Sequence, residues 1–306
     1  MSKNLKGNLI LLCAAIIWGL GFVAQDAAAQ TVEPFTINAL RSFIGCIALL
    51  PLCIFMSKKR GETLISKDKN GAKTLLIAGV LCGALLTVCS NLQQFGISSY
   101  PPNAAASARA GFLTAMYVVM VPIFGLLFKK KTGFNVWIAV AVSVVGLYLL
   151  CLSGGLGNIY GGDIIVFGCA VSYSFHIICI DLFGNRVDGV KLSCLQFFVC
   201  GVLSSILMII FEKPTIEGIL AAGWYLLYIG VMSSGVAFTL QIIGQQLSEN
   251  PTVASIIMSL ESVFAALGGL MVGETLSIRE ASGCVIMFGA IVLSQINFKK
   301  GERANA

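Results

Sequence analysis

Ten long apolar stretches, separated by short polar connections, fill nearly the whole chain. A helix needs about 20 apolar residues to cross a ~30 Å hydrocarbon core. It also satisfies its own backbone hydrogen bonds, which lipid cannot do for it. The pattern therefore predicts membrane helices over 8–29, 35–56, 72–95, 103–128, 134–152, 163–183, 192–211, 218–245, 252–272 and 279–298. What remains is too short for a soluble catalytic or nucleic-acid-binding domain.

Segments six to ten echo segments one to five. With an offset of 155, Gly7 falls on Gly162, Trp18 on Tyr173, Asp26 on Asp181 and Leu40 on Leu195. At a shorter offset, Gly79-Val80 falls on Gly230-Val231 and Gln94 on Gln245. With an offset of 144, Ala110 falls on Ala254, Tyr117 on Glu261 and Leu126 on Leu270. The offset shrinks because the first copy carries a charged insertion after its second segment. Four segments kept in one order argue for a duplication. Five is odd, so the second copy enters the bilayer upside down. The expected fold is an all-α integral membrane protein of ten transmembrane helices in two inverted five-helix repeats, residues 1–153 and 154–306. Inverted repeats meeting near the midplane are the architecture of alternating-access transporters.

Charge follows the same plan. The chain is 57% hydrophobic and 11% charged, against about 25% charged in soluble domains. The net charge of +6 therefore speaks of topology, and no nucleic-acid partner is expected. With the N-terminus in the cytoplasm, the inner side holds Lys3, Lys6, Lys58, Lys59, Arg60, Lys67, Lys69, Lys73, Lys129-Lys130-Lys131, Arg186, Lys191, Lys299, Lys300 and Arg303. The outer side holds only Lys213 and Arg279. This split puts both termini in the cytoplasm of a multi-pass plasma-membrane protein. Lys129-Lys130-Lys131 ends segment four, whereas the matching place after segment nine carries Glu274. Lys3 and Lys6 before an apolar run, with Ala27-Ala28-Ala29 behind it, imitate a signal peptide. That segment is long enough to span, and its counterpart lies mid-chain, so it is read as a helix. The 11 cysteines form no C-x-x-C pair. They read as packing residues, and no disulfide, metal or cofactor is expected.

The first helix reads Ala14-Ala15-Ile16-Ile17-Trp18-Gly19-Leu20-Gly21-Phe22-Val23. It resembles the opening signature of the EamA branch of the drug/metabolite transporter superfamily. Ala110-Gly111-Phe112-Leu113-Thr114, with Tyr117-Val118-Val119 and Pro122, is similar to that family's fourth helix. Ser259-Leu260-Glu261-Ser262-Val263-Phe264-Ala265-Ala266-Leu267, followed by Gly273-Glu274, is similar to its ninth. The family usually has proline after the glutamate; Ser262 stands here, which predicts a straighter ninth helix. The resemblance implies a secondary carrier, often an exporter of amino acids or other small metabolites. Helices one to four and six to nine would enclose a cavity that helices five and ten brace.

Ionisable residues inside the spans are the candidate chemistry, because a charge at the bilayer centre costs about 2.5–3.5 kcal/mol on insertion scales. Glu261 lies ten residues after Pro251, about 15 Å deep at 1.5 Å per residue. It reads as a site for a proton or a substrate cation, or as a neutralised packing group. Arg41 could receive a substrate carboxylate, pair with Asp26 or Glu33, or snorkel outward. Arg109 stands where the apolar part of helix four begins, and snorkelling is its expected state. Asp26 and Asp181 are repeat partners at opposite mouths, either gate contacts or solvated helix ends. Trp18 and Tyr173, half-way through their helices, line a cavity or pack a core. His176, the only histidine, shares a face with Tyr173 and reads as a packing residue or a proton relay. Tyr117 is the repeat partner of Glu261. Gln93, Gln94, Gln241, Gln245 and Gln246 bridge helices or line a path. Gly79-x-x-x-Gly83 and Gly269-x-x-x-Gly273 allow tight helix contact.

No catalytic constellation or phosphate-cradling loop appears, and Gly154-Gly155-Leu156-Gly157 with Gly161-Gly162 reads as a flexible connection between the repeats. The expected function is a secondary active transporter moving a small metabolite, an amino acid or another amphipathic solute, by alternating access, and the resemblance implies export. The expected partners are that small molecule, protons as the coupling candidate, and the lipid bilayer. Monomer and homodimer both stay open. The alternative is an integral membrane enzyme acting on a lipid, which would need acids or nucleophiles clustered near an interface.

Overall fold

The computed structural model describes residues 3–61, 63, 68–101, 106–129, 132–151, 159–248, 250–271 and 277–295. Lys67, Lys130, Lys131, Gly154-Gly155-Leu156-Gly157, Gly273, Glu274, Lys299, Lys300 and Arg303, used above, lie outside them. All elements among the described residues are helical. They are α1 (Lys3–Ala29), α2 (Pro34–Lys59), α3 (Lys69–Ser98), α4 (Ala106–Ala115), α5 (Tyr117–Leu127), α6 (Phe134–Cys151), α7 (Gly161–Gly184), α8 (Gly189–Phe211), α9 (Ile216–Ala221), α10 (Gly223–Tyr228), a π-helical segment (Ile229–Ala237), α11 (Phe238–Leu247), α12 (Pro251–Met258), α13 (Glu261–Met271) and α14 (Ile278–Gln295).

Among the described residues, seven helical stretches are long and apolar enough to cross a membrane: Lys3–Ala29, Pro34–Lys59, Lys69–Ser98, Arg109–Leu127, Gly161–Gly184, Gly189–Phe211 and Gly223–Leu247. Phe134–Leu150 and Pro251–Leu267 are apolar but shorter. The protein is thus an all-helical, multi-pass membrane protein. The last predicted segment is α14, which carries Arg279 and Glu280 in its first turn and is not among the seven.

Three predicted rods are interrupted. Segment four breaks at Met116 between α4 and α5, where Met116 N–H reaches back only three residues to Leu113 O at 3.2 Å. Segment nine breaks at Ser259-Leu260 between α12 and α13. This corrects the expectation of a straight ninth helix. Next to the break, Ser255 and Ser259 donate to the carbonyls of Thr252 and Ile256, both at 2.8 Å. Such side-chain bonding competes with the helical ladder. Segment eight holds a break at Ala222 and nine π-helical residues.

Packing joins the halves of the chain. α2 lies on α8, α3 on α7 and α8, α6 on α14, and α1 on α11, α13 and the π segment. Gly79 and Gly83 make the α3–α8 contact possible. A Cβ at Gly79 would come within 2.3 Å of Leu195 Cδ2, and one at Gly83 within 2.6 Å of Val199 Cβ. In lipid, such close approach replaces the hydrophobic effect as the glue between helices. At one end, Glu212 closes the α8–α2 junction. Its carboxylate accepts from the N–H groups of Phe35 and Thr36, each at 2.7 Å, and so caps the unsatisfied N-terminus of α2. At the other end, Arg60 pairs with Asp188.

Candidate functional site

A cavity opens where α1, α2, α3, α4, α5, α7, the π-helical segment, α11, α12 and α13 converge. Its polar groups include Arg41, Glu261, Gln25, Gln93 and Gln241, and aromatic walls come from Trp18, Phe22, Tyr173 and Phe238. Tyr117 lines it as well.

Arg41 is 5% exposed, so it does not snorkel, and its partners are not Asp26 or Glu33. Its Nη1 donates to Gln25 Oε1 at 2.8 Å, Nη2 to Ser233 Oγ at 3.0 Å, and Nε to Ser234 Oγ at 3.1 Å. All three acceptors are neutral. They hold the guanidinium in place without cancelling its charge, and a buried charge lacking a counter-ion attracts one. The π-helical segment presents Ser233 and Ser234 together, and such wide turns are frequent at functional sites. Close packing of that segment on α2 fixes the geometry, since a Cβ at Gly45 would lie 2.9 Å from Ser234 Cβ.

Glu261 is the first residue of α13 and is likewise 5% exposed. Tyr117, the first residue of α5, donates its hydroxyl to Glu261 Oε1 at 3.1 Å. The carboxylate therefore sits at a helix N-terminus inside the bundle, where the dipole favours negative charge. Trp18 edges against Phe238 at 4.8 Å and donates its indole N–H to Ser233 O at 3.3 Å. Gln241 is 2% exposed, and its Oε1 has no hydrogen-bond partner. One cavity thus offers a cation, an acid and a spare carboxamide between aromatic walls, a set suited to an amphipathic solute.

Of the predicted candidates, Trp18, Arg41, Gln93, Tyr117, Tyr173, Gln241 and Glu261 come together here. The others stand apart. His176 is buried behind the wall, with Nε2 3.1 Å from Gln196 Oε1 and its ring edge-on to Tyr173 and Phe238. Gln94 and Gln245 bridge helices, donating to Gln25 O at 3.4 Å and Ile177 O at 3.1 Å. Asp26 and Asp181 are half-buried near helix ends and do not line the cavity. Arg109 does not snorkel. It is 9% exposed and pairs with Asp163 on α7, through Nη2–Oδ2 at 2.6 Å and Nε–Oδ1 at 3.0 Å. Scattered cysteines also meet in space as free thiols, Cys82 with Cys179 at 3.3 Å and Cys46 with Cys194 at 3.6 Å.

Sequence reasoning missed Phe22, Gln25, Thr114, Ser233, Phe238 and Asp163. Ser233-Ser234, a polar pair inside an apolar run, and Asp163, an acid in the first turn of a helix, were visible signals. Neither residue's partner was.

The model of the EamA-like transporter family matches residues 5–152 and 160–295. An uncharacterized transporter of Archaeoglobus fulgidus is 28% identical over 95% of this chain and 86% of its own length. The uncharacterized transporter YoaV of Bacillus subtilis is 23% identical over 96% and 98%. The uncharacterized inner membrane transporter YedA of Escherichia coli is 25% identical over 92% and 88%. A solved crystal structure superposes with a TM-score of 0.71 at 19% identity, over 94% of this chain and 96% of that one, and shows a shared fold. With matches spanning both halves, the chain belongs to the EamA-like transporter family and is a multi-pass membrane transporter.

Proposed function

We propose that the protein is a secondary active carrier that moves an amphipathic metabolite, an amino acid or a solute of similar character, out of the cell by alternating access. The observation that carries this reading is a single cavity holding Arg41 with neutral partners only and Glu261 with Tyr117 as its partner. Arg41 receives the substrate carboxylate through its planar fork. Glu261 binds a proton or the substrate's cationic group, and the aromatic side chains cover the apolar part.

The matched breaks support a ten-helix, two-repeat architecture. Met116 and Leu260 are 144 residues apart, as are Tyr117 and Glu261, and each pair falls at an interruption. The family model's two matched stretches divide the chain at the same place as the proposed repeats. Both termini lie in the cytoplasm by the lysine and arginine split. As the repeats rock, the cavity meets one side and then the other.

Purified protein in liposomes tests the reading by a counterflow screen across amino acids, nucleosides and cationic drugs. Accumulation of a labelled amphipathic solute is expected. Turnover of bilayer lipid without solute flux would replace the carrier with an enzyme.

A further inference from the structure

Two layers separate the cavity from the end of the bundle that the charge split assigns to the outside. The inner layer is apolar. Phe22 of α1, Ile97 of α3, Ala110 of α4, Val166 of α7 and the ring of Tyr100 form one buried cluster, with Ala265 of α13 and Tyr160 packed against it. Phe22 also lines the cavity, so this cluster is the cavity's wall on that side.

The outer layer is polar and centres on Asp163. One carboxylate takes the Arg109 guanidinium from α4, the Tyr100 hydroxyl at 2.8 Å from the end of α3, and the Tyr160 N–H at 2.9 Å. The last contact caps α7 itself. Arg109 lies 4.8 Å over the Tyr160 ring. Burial and the bond to Asp163 hold the Tyr100 hydroxyl above its usual pKa, so it stays a donor. The start of α4, the start of α7 and the end of α3 are thereby tied at one point.

The opposite end has no such tie at the duplicated positions. Offsets of 144 and 155 place Arg109 on Val253 and Asp163 on Asn8. There α1 and α12 meet through Leu11 and Ala254, with Leu12 and Val253 beside them. At these matched positions the two ends carry different chemistry.

We propose that the Arg109–Asp163 pair, with Tyr100, is the external gate of the carrier: it forms when the outer end closes over the apolar cluster and breaks when that end opens, while the inner end closes on apolar side chains at the matched positions. This rests on the alternating-access reading above. A charged latch is directional. It adds stability to the outward-closed state, and the matched inner positions, Asn8 and Val253, carry no equivalent; the ion pair at the inner end, Arg60–Asp188, joins the end of α2 to the start of α8 instead.

The test reads accessibility, with no need of a known substrate. A Gln93→Cys reporter places a thiol in the cavity of the full-length protein in intact cells. A membrane-impermeant maleimide is added outside, and peptide-resolved mass spectrometry separates position 93 from the native cysteines. Arg109→Ala is expected to raise the labelling rate at least tenfold, and Arg109→Lys to bring it only part of the way back to the parent, since lysine keeps the charge but lacks the planar fork. Arg60→Ala, which removes the ion pair at the other end, is expected to leave labelling unchanged. Thermal unfolding in detergent establishes that each variant is folded. Unchanged labelling in folded Arg109→Ala overturns the gate, and so does an equal rise in Arg60→Ala, which would mean general loosening. Faster labelling in Arg109→Ala with no solute flux in the parent protein would keep the gate and reject the carrier.

Discussion

The hydroxyl of Tyr117 donates to Glu261 Oε1 at 3.1 Å, and the two residues stand 144 positions apart, each the first residue after a helix break. Residues aligned by the sequence echo therefore touch in the middle of the fold. Under the two-repeat reading this contact lies on the axis relating the copies. A device there feels the motion of both, which is where a coupling group has most effect.

Removing the donor isolates the acid. Tyr117→Phe leaves a buried carboxyl oxygen without its partner, a loss of about 1–3 kcal/mol. The melting temperature in detergent should fall by several degrees. An unchanged melting temperature would show that the bond contributes nothing to the folded state.

Arg41→Ala should weaken substrate flux at least tenfold while the protein stays folded, because the carboxylate loses its receptor. Arg41→Lys should recover only part, since lysine lacks the bidentate fork. Concentration-dependent flux in proteoliposomes checks both. Parental flux in Arg41→Ala would remove the residue from the binding site.

Gly19 sits where α1 crosses α13 at the break. A Cβ there would lie 2.7 Å from Glu261 O and 2.6 Å from Phe264 Cβ. Gly19→Ala is therefore expected to overpack this crossing, costing about 1–3 kcal/mol and displacing the start of α13. Thermal unfolding with parallel flux measurement checks it, and a variant that matches the parent in both would show that the crossing has slack.

The apolar pattern made the helices legible because hydrocarbon imposes a length and a composition on any spanning segment. It could not show how they are interrupted. The breaks at Met116 and Leu260 fall inside apolar runs, where apolar windows read a continuous rod. Arg41, Glu261, Trp18, Tyr117 and Tyr173 stood out as unusual groups in apolar runs, and all line the cavity. Arg109 was a candidate, but its pairing with Asp163 was hidden for the opposite reason. Each looks ordinary at a helix end, and only the packing of α4 beside α7 makes them a pair.

Topology has its own test. In intact cells, a cysteine introduced by Lys213→Cys should react with an impermeant thiol reagent added outside, and one introduced by Lys130→Cys should not. The motive is the lysine and arginine split. Reaction of position 130 from outside would overturn the inverted arrangement.

The most direct measurement of the central claim is proton-gradient-driven flux in Glu261→Gln proteoliposomes, using a solute identified by counterflow. Glutamine keeps the shape and accepts the Tyr117 bond but cannot release a proton. Flux driven by a pH gradient should be abolished, while substrate-for-substrate exchange, which needs no net proton movement, should survive. A Glu261→Gln variant that responds to the gradient as the parent does would contradict the account and leave the glutamate a packing residue.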